Sequence, residues 1–169
     1  MSTHHTPIRV DHVGIAVESV PEAETVLQAL GAVKRHEEPS PDGSFTWGTY
    51  ELGDASRLEL IAPTESEAED GFLGDFLAEH GPGLHHVTLE VADLAAVVDS
   101  LEAAGLRVVD VTDRGDWTEA FVSPRNPTGV LFQLMEYHEG YATRHGGADA
   151  AYVDGVRLGA SEESPEGDE

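Results

Sequence analysis

A chain of 169 residues with 40% apolar content can bury one ordinary core or two small fused modules, and its 33 Asp and Glu against 9 Lys and Arg leave a formal charge of −24 at pH 7. Such a field repels nucleic acid and anionic membranes, so neither is an expected partner; no apolar run is long enough for a membrane span, and without cysteine there is no disulfide framework and no thiolate chemistry. Self-repulsion of this size weakens a compact state in dilute buffer and is screened by salt, which is the charge balance of a halophile's cytoplasmic protein. The melting temperature is therefore expected to climb steeply from low to molar KCl, and a thermal melt indifferent to salt would contradict the charge argument.

Residues 8–17 alternate around His12, with Val13, Ile15 and Val17 on one face of a predicted strand and His12, Gly14 and Ala16 on the other. Ser19-Val20-Pro21-Glu22 makes a capping box with proline early in the first turn. Val20, Ala23, Val26, Leu27 and Leu30 then recur at helical spacing up to Gly31, so this helix is expected to cover the strand's apolar face. After a short extra strand near 33–37 and a Pro- and Glu-rich connection, residues 45–52 and 57–62 read as strands joined by a turn at Gly53-Asp54. An acidic linker, 64–83, carries a short amphipathic helix with Phe72, Phe76 and Leu77.

The pattern then returns. Strand 85–91 sets Val87, Leu89 and Val91 opposite His86, Thr88 and Glu90, and Asp93 caps a helix with Leu94, Val97, Val98 and Leu101 that stops at Gly105. Strands follow near 107–111, 119–122 and 130–136, with a turn at Asn126-Pro127-Thr128-Gly129. The acidic tail, 138–169, lies outside the pattern. Its end, 161–169, is expected to be disordered, while Tyr141 and 151–153 are the segments able to dock on the body.

His12 and His86 stand 74 positions apart, and the same offset matches Val13 with Val87, Val17 with Val91, Leu27 with Leu101, Gly31 with Gly105, Leu60 with Leu134 and Glu59 with Gln133. Each histidine is thus followed, 47 residues later, by a side chain that offers an oxygen. Alternation puts His12, Glu59, His86 and Gln133 on the faces their strands turn away from the helices, so two equivalent sheets curling together would make the four converge. Two imidazoles, a carboxylate and an amide oxygen suit a divalent metal with coordination positions left open. Taken singly, a strand histidine usually just finds a hydrogen-bond partner and a sheet-face glutamate is solvated; equal spacing in both copies is what joins them. His85 falls on the apolar side of its strand, in register with Asp11, and reads as structural.

Asp11-His12-Val13-Gly14-Ile15-Ala16-Val17, Leu58-Glu59-Leu60-Ile61-Ala62-Pro63, Gly83-Leu84-His85-His86-Val87 and Gly129-Val130-Leu131-Phe132-Gln133-Leu134, in this order on paired modules, resemble the vicinal oxygen chelate (glyoxalase/dioxygenase) superfamily. The resemblance spans residues 8–137 and is nearest to its methylmalonyl-CoA epimerase-like members. It implies an α+β fold of two tandem βαβββ modules, 8–63 and 84–137, forming a curled mixed sheet around a central metal site. It also implies one divalent metal ion (Co, Ni, Zn, Mn, Mg or Fe) on the residues matching His12, Glu59, His86 and Gln133, with a small-molecule substrate chelating it through two vicinal oxygens. A homodimer is the expected assembly.

Three functions follow from different classes. The first is a metal-dependent lyase or isomerase of the glyoxalase or epimerase type, abstracting a proton next to a chelated carbonyl. The second is a non-haem iron extradiol-type dioxygenase, because His12, His86 and Glu59 also make a two-histidine, one-carboxylate set. The third is a small-molecule binding protein of the resistance type. Against the epimerase pattern, carboxylate and amide are exchanged between positions 59 and 133, and the glutamate that pattern carries after the first hairpin turn aligns with Thr46. Glu59 and Glu119 are therefore the catalytic candidates, although Glu119 as aligned faces away unless its strand slips by one residue. Thr46, Trp47, Phe121 and Arg125 are the candidate substrate contacts, with Phe45 and Trp117 in the pocket wall or the core beneath. Arg114 and Arg125 are scarce cations suited to a substrate carboxylate or phosphate.

Overall fold

The structure is a computed structural model and describes residues 4–53, 56–65, 67, 71–138 and 141 together with the short strands at 152–153 and 156–157. The first half runs β1 (Ile8–Ala16), α1 (Val20–Ala29), β2 (Val33–Pro39), β3 (Phe45–Leu52), β4 (Ser56–Pro63), and a linking helix α2 (Phe72–His80) follows. The second half repeats it as β5 (Gly83–Val91), α3 (Leu94–Ala103), β6 (Val108–Asp113), β7 (Trp117–Val122) and β8 (Leu131–Tyr137). Eight strands form one mixed sheet in the order β2-β3-β4-β1-β5-β8-β7-β6. Each half lays its last strand parallel to its first, β4 on β1 and β8 on β5, and the halves meet where β1 and β5 pair antiparallel. The α+β architecture of two βαβββ modules is the one expected.

The helices form where local chemistry places them. Ser19 Oγ accepts from Glu22 N at 3.4 Å and Asp93 Oδ1 from Ala96 N at 2.9 Å, each satisfying an otherwise orphaned amide of the first turn. Beneath α1 lie Val17, Val20, Leu27, Tyr50 and Leu60; beneath α3 lie Val91, Leu94, Val97, Ala120 and Leu134. Val17 and Val91, Val20 and Leu94, and Leu60 and Leu134 occupy equivalent places, so the duplication seen in the sequence is a duplication of cores. With one sheet face filled in this way, the polar positions of β1, β4, β5 and β8 are left to line the other.

Both ends of that inner face are closed by elements outside the repeat. Leu73 of α2 is buried with Ala16 and Ile61, and Phe45, Trp47, Phe76 and Leu77 pack around them. Tyr141, just past β8, is buried against Tyr137 and Met135, with its ring 6.0 Å from that of Trp117, so the expected docking of Tyr141 is seen. A short strand β9 (Tyr152–Val153) pairs with β10 (Val156–Arg157) and lies against β1 and β5. Residues 161–169, Asp54 of the turn between β3 and β4 and part of the acidic linker lie outside the described residues. No helix among the described residues is long and apolar enough to cross a membrane.

The β1–β5 seam breaks the simple alternation twice. Partners run Val10 with Leu89 and then His12 with Thr88, and Gly14 with His86 and then Ile15 with Leu84, so Asp11 and His85 are extra, unpaired residues of two bulges. Asp11 is almost fully buried beside His12 instead of pointing away from it. His85, expected in a structural role on the apolar side of its strand, has its ring against Phe76 of α2 and its Nδ1 3.0 Å from His86 Nδ1.

Candidate metal centre

His12 on β1, Glu59 on β4 and His86 on β5 each bring a ligand atom into one cluster, all within 4.8 Å of one another. The register explains why. Gly14 is the partner of Glu59 on one side and of His86 on the other, and both longer side chains reach over it. A Cβ at Gly14 would approach the His86 ring closer than the 3.0 Å that real Cβ atoms keep, so the missing side chain is the space the imidazole occupies. Glu59 Oε2 lies 3.5 Å from His12 Nε2 and Glu59 Oε1 lies 3.6 Å from His86 Nε2. The two imidazoles stand nearly perpendicular, with centroids 5.7 Å apart.

The supports of the two histidines fix which nitrogen is offered. Asp11 Oδ2 lies 2.7 Å from His12 Nδ1 and can only accept, which makes Nδ1 the protonated nitrogen and Nε2 the lone pair aimed at Glu59. Asp11 is held in turn by the Tyr137 hydroxyl at 3.0 Å, by Arg9 at 3.0 Å and by Arg57. His86 Nδ1 meets His85 Nδ1 at 3.0 Å, while His86 Nε2 is buried with no hydrogen-bond partner. A buried nitrogen without a hydrogen-bond partner, beside a carboxylate and a second imidazole, is a donor set that fits a borderline divalent metal.

Burial lowers the pKa of His12 and pushes that of His86 well below the ordinary imidazole value of 6.5, so both are neutral and able to ligate at pH 7. Burial raises that of Glu59, opposed by His12 and Arg57, and a bound cation would draw it back to the anion. The sign for metal uptake follows. Because the native imidazole values are depressed, protons compete for the imidazoles only below pH 6.5, so affinity for Zn²⁺ or Co²⁺ is expected to fall as the pH drops below that value, with Glu59, whose own value is raised, adding to the loss. Calorimetric titration from pH 7.5 downward checks it, and a fall already complete at pH 7 would assign the competing proton to Glu59 in place of the imidazoles.

Gln133, the fourth expected ligand, faces the same side from β8 but is engaged. Its Nε2 donates to Glu119 at 3.1 Å and its Oε1 lies 2.8 Å from Thr88 Oγ1, which also lies 2.9 Å from His12 Nε2; the one hydroxyl proton goes to the amide oxygen or to the imidazole lone pair, not to both. The Thr88 hydroxyl thus joins the amide to the cluster. Asp11, Thr88 and Tyr137 are the participants that pattern reading did not assign; for Thr88 a signal existed, its place beside His86 on the polar face of β5.

A cavity of about 350 Å³ opens over the cluster, lined by His12, Glu59 and Gln133 below and by Trp47, Trp117 and Tyr141 at the sides. Trp47 stands where expected, edge-on to His36 at 4.4 Å. Thr46 does not line the cavity: it pairs with Ala62 on the helix side of β3, while Phe45, Trp47 and Thr49 face inward. The same change of parity corrects Glu119, which needs no slip. It pairs with Met135, two residues from Gln133, and faces the cavity with Arg114 Nε donating at 2.9 Å and Trp117 Nε1 at 3.2 Å. Phe121 pairs with Gln133 and shares its face, but is not part of the cavity lining. Arg125 is exposed in the β7–β8 connection away from the lining, and Arg114 is the arginine at the mouth.

Residues 11–121 match the family described as Glyoxalase/Bleomycin resistance protein/Dioxygenase superfamily. The uncharacterized protein YqjC of Bacillus subtilis is 30% identical over 132 residues, which is 76% of this chain and 91% of that protein. The ethylmalonyl-CoA/methylmalonyl-CoA epimerase of Cereibacter sphaeroides is 30% identical over 136 residues, 76% of this chain and 97% of that one. Among solved structures, methylmalonyl-CoA epimerase from Mycobacterium tuberculosis superposes with a TM-score of 0.71 at 29% identity, covering 84% of this chain and 97% of the other.

Proposed function

The chain belongs to the Glyoxalase/Bleomycin resistance protein/Dioxygenase superfamily, and on that footing we propose that it is a metal-dependent isomerase or lyase that removes a proton from carbon next to a chelated carbonyl, with an acyl-CoA or 2-oxo acid as substrate. The observation that carries this reading is the His12, Glu59 and His86 cluster together with a second carboxylate, Glu119, in the wall of the cavity that His12 and Glu59 line. The likeness to epimerases of malonyl-CoA derivatives supports the substrate class. The catalytic unit is residues 8–137, and a cytoplasmic homodimer is the proposed setting, with exposed Ile8 and Val10 on β1 as apolar surface for an interface.

His12, Glu59 and His86 would hold the cation, with the Gln133 amide as a further oxygen, and the bound ion would act as a Lewis acid on two vicinal substrate oxygens. Glu119 is assigned the proton transfer. It is held at one wall by Arg114, Trp117 and Gln133, and its carboxylate takes the proton while the C–H electron pair stays on the substrate as an enolate. Returning that proton to the neighbouring carbon, or delivering another to the opposite face of the same carbon, completes an isomerisation. Glu38 and Asp42 line the cavity from the first module, so carboxylates flank it on both sides, as inversion at one carbon requires. Trp47, Trp117 and Tyr141 limit water around the developing charge.

The deciding experiment is metal analysis of untagged protein purified in high salt without added metal. It is combined with a thermal-shift screen of acyl-CoAs, 2-oxo acids and catechols and with deuterium incorporation into the ligands found. Bound Co, Ni, Zn, Mn or Mg with solvent exchange supports the proposal. A second reading, the dioxygenase, has its own support: the three gathered ligands are two histidines and one carboxylate, while Gln133 is tied to Thr88 and Glu119. Iron with oxygen consumption would establish that reading instead, and tight binding without exchange would leave a binding protein.

A further inference from the structure

The bulges at Asp11 and His85 occupy equivalent positions in the two modules, and each extra residue directly precedes a histidine of the cluster. A bulge bends its strand and re-aims a side chain, and both are spent the same way here: Asp11 Oδ2 meets His12 Nδ1 at 2.7 Å and His85 Nδ1 meets His86 Nδ1 at 3.0 Å. We infer that His85 is the positioning residue of His86, accepting its Nδ1 proton as Asp11 accepts that of His12, and so leaving His86 Nε2 as a lone pair facing Glu59. The inference rests on the metal site proposed above and adds to it the residue that selects the ligating tautomer.

Only one of the two ways of sharing one proton across the His85–His86 contact leaves a ligand. Were His85 the donor, neutral His86 would carry its proton on Nε2, the buried nitrogen 3.6 Å from Glu59 Oε1, and would have no lone pair to offer a cation there. With His86 as donor, the Nδ1 contact is satisfied and His85 keeps its own proton on the other nitrogen of a half-buried ring. That ring is set by the linking helix, edge-on to Phe76 at 4.8 Å and tilted on Phe72 at 5.9 Å, so α2 reaches the metal site through His85. The two supports differ in kind. Asp11 is an anion pinned by Tyr137, Arg9 and Arg57, whereas His85 is an aromatic acceptor braced by rings, which makes His86 the less strongly polarised ligand of the pair.

The test reads tautomer and metal separately on the full chain. In the metal-free wild type, ¹⁵N-histidine NMR should show His86 protonated on Nδ1. His85→Phe keeps a ring against Phe72 and Phe76 but has no acceptor; it should shift His86 toward the Nε2–H form and weaken Zn²⁺ and Co²⁺ binding about 10- to 100-fold. His85→Asn, whose amide oxygen can accept, should recover most of that affinity, and His85→Asp should equal or exceed the wild type. If His85→Phe does not fold by thermal melt, the wild-type tautomer and the His85→Asn and His85→Asp affinities decide. An Nε2–H tautomer on wild-type His86 would overturn the inference, as would unchanged affinity in His85→Phe alongside loss of binding in His86→Ala. Failure of the metal reading looks different: the wild type itself takes up no stoichiometric metal, while the tautomer of His86 still reports on His85.

Discussion

Replacing Glu119 by glutamine should slow solvent exchange of the substrate's α-proton by about 10² to 10⁴ while leaving metal content unchanged, the usual scale for losing a general base. The amide keeps the size, and its single oxygen can still accept from Trp117 and Gln133 while its NH2 end replaces the oxygen that Arg114 holds, so one contact of the wall is given up along with the capacity to take a proton. Glu59→Gln is the informative contrast. Glu59 lies within 3.5 and 3.6 Å of the two imidazoles, so its loss should lower metal affinity first and activity through it. If Glu119→Gln exchanged at the wild-type rate and metal-saturated Glu59→Gln did not, the base would be Glu59 acting by leaving the metal. Should both retain exchange, proton abstraction by either carboxylate is refuted. Deuterium incorporation followed by mass spectrometry separates these outcomes.

Gly14→Ala is expected to remove His86 from the cluster and to reduce metal binding to the level of His86→Ala. The added Cβ would overlap three atoms of the His86 imidazole, so the ring must leave its place. Overpacking of this sort costs about 1–3 kcal/mol, which a chain of this size tolerates in high salt, so the variant should fold with a lowered Tm. Metal affinity should fall by more than the roughly 10- to 100-fold that follows loss of a supporting hydrogen bond, because a ligand is displaced and not merely loosened. Gly14 has no side chain to ligate anything. Wild-type affinity in a folded Gly14→Ala variant would therefore mean that the His86 ring, as placed here, is not a ligand.

The two modules, their helices and the convergence of His12, Glu59 and His86 were legible in the sequence, because burial imposes a period of two on strands and 3.6 on helices. The 74-residue offset carried the same pattern through both halves. Trp47 was named by residue type, as an aromatic suited to a pocket wall, and not by alternation. What alternation could not supply was its own phase. Taking Thr46 as the inward residue of β3 turned Glu119 outward as well, and only the pairing of Thr49 with Glu59 and of Phe121 with Gln133 restores both. Arg125 was assigned by charge alone, and charge does not say where a loop residue lies; Arg114 is at the mouth because it follows the strand that leads into β7.

The sequence by itself determined which ligands exist and which strands carry them, since these depend on residue type and on a spacing that survives any choice of loop geometry. The tertiary structure alone decided how the ligands are held. Bulges at Asp11 and His85 shift the β1–β5 register by a residue and back, bringing to each histidine a neighbour that alternation would have sent to the other face. The space over Gly14 and the Thr88 hydroxyl between His12 and Gln133 likewise exist only once β1, β5 and β8 lie side by side. Local periodicity is a property of one strand against the core. A site is a property of several strands against one another, and cross-strand register is not written in the period of any one of them.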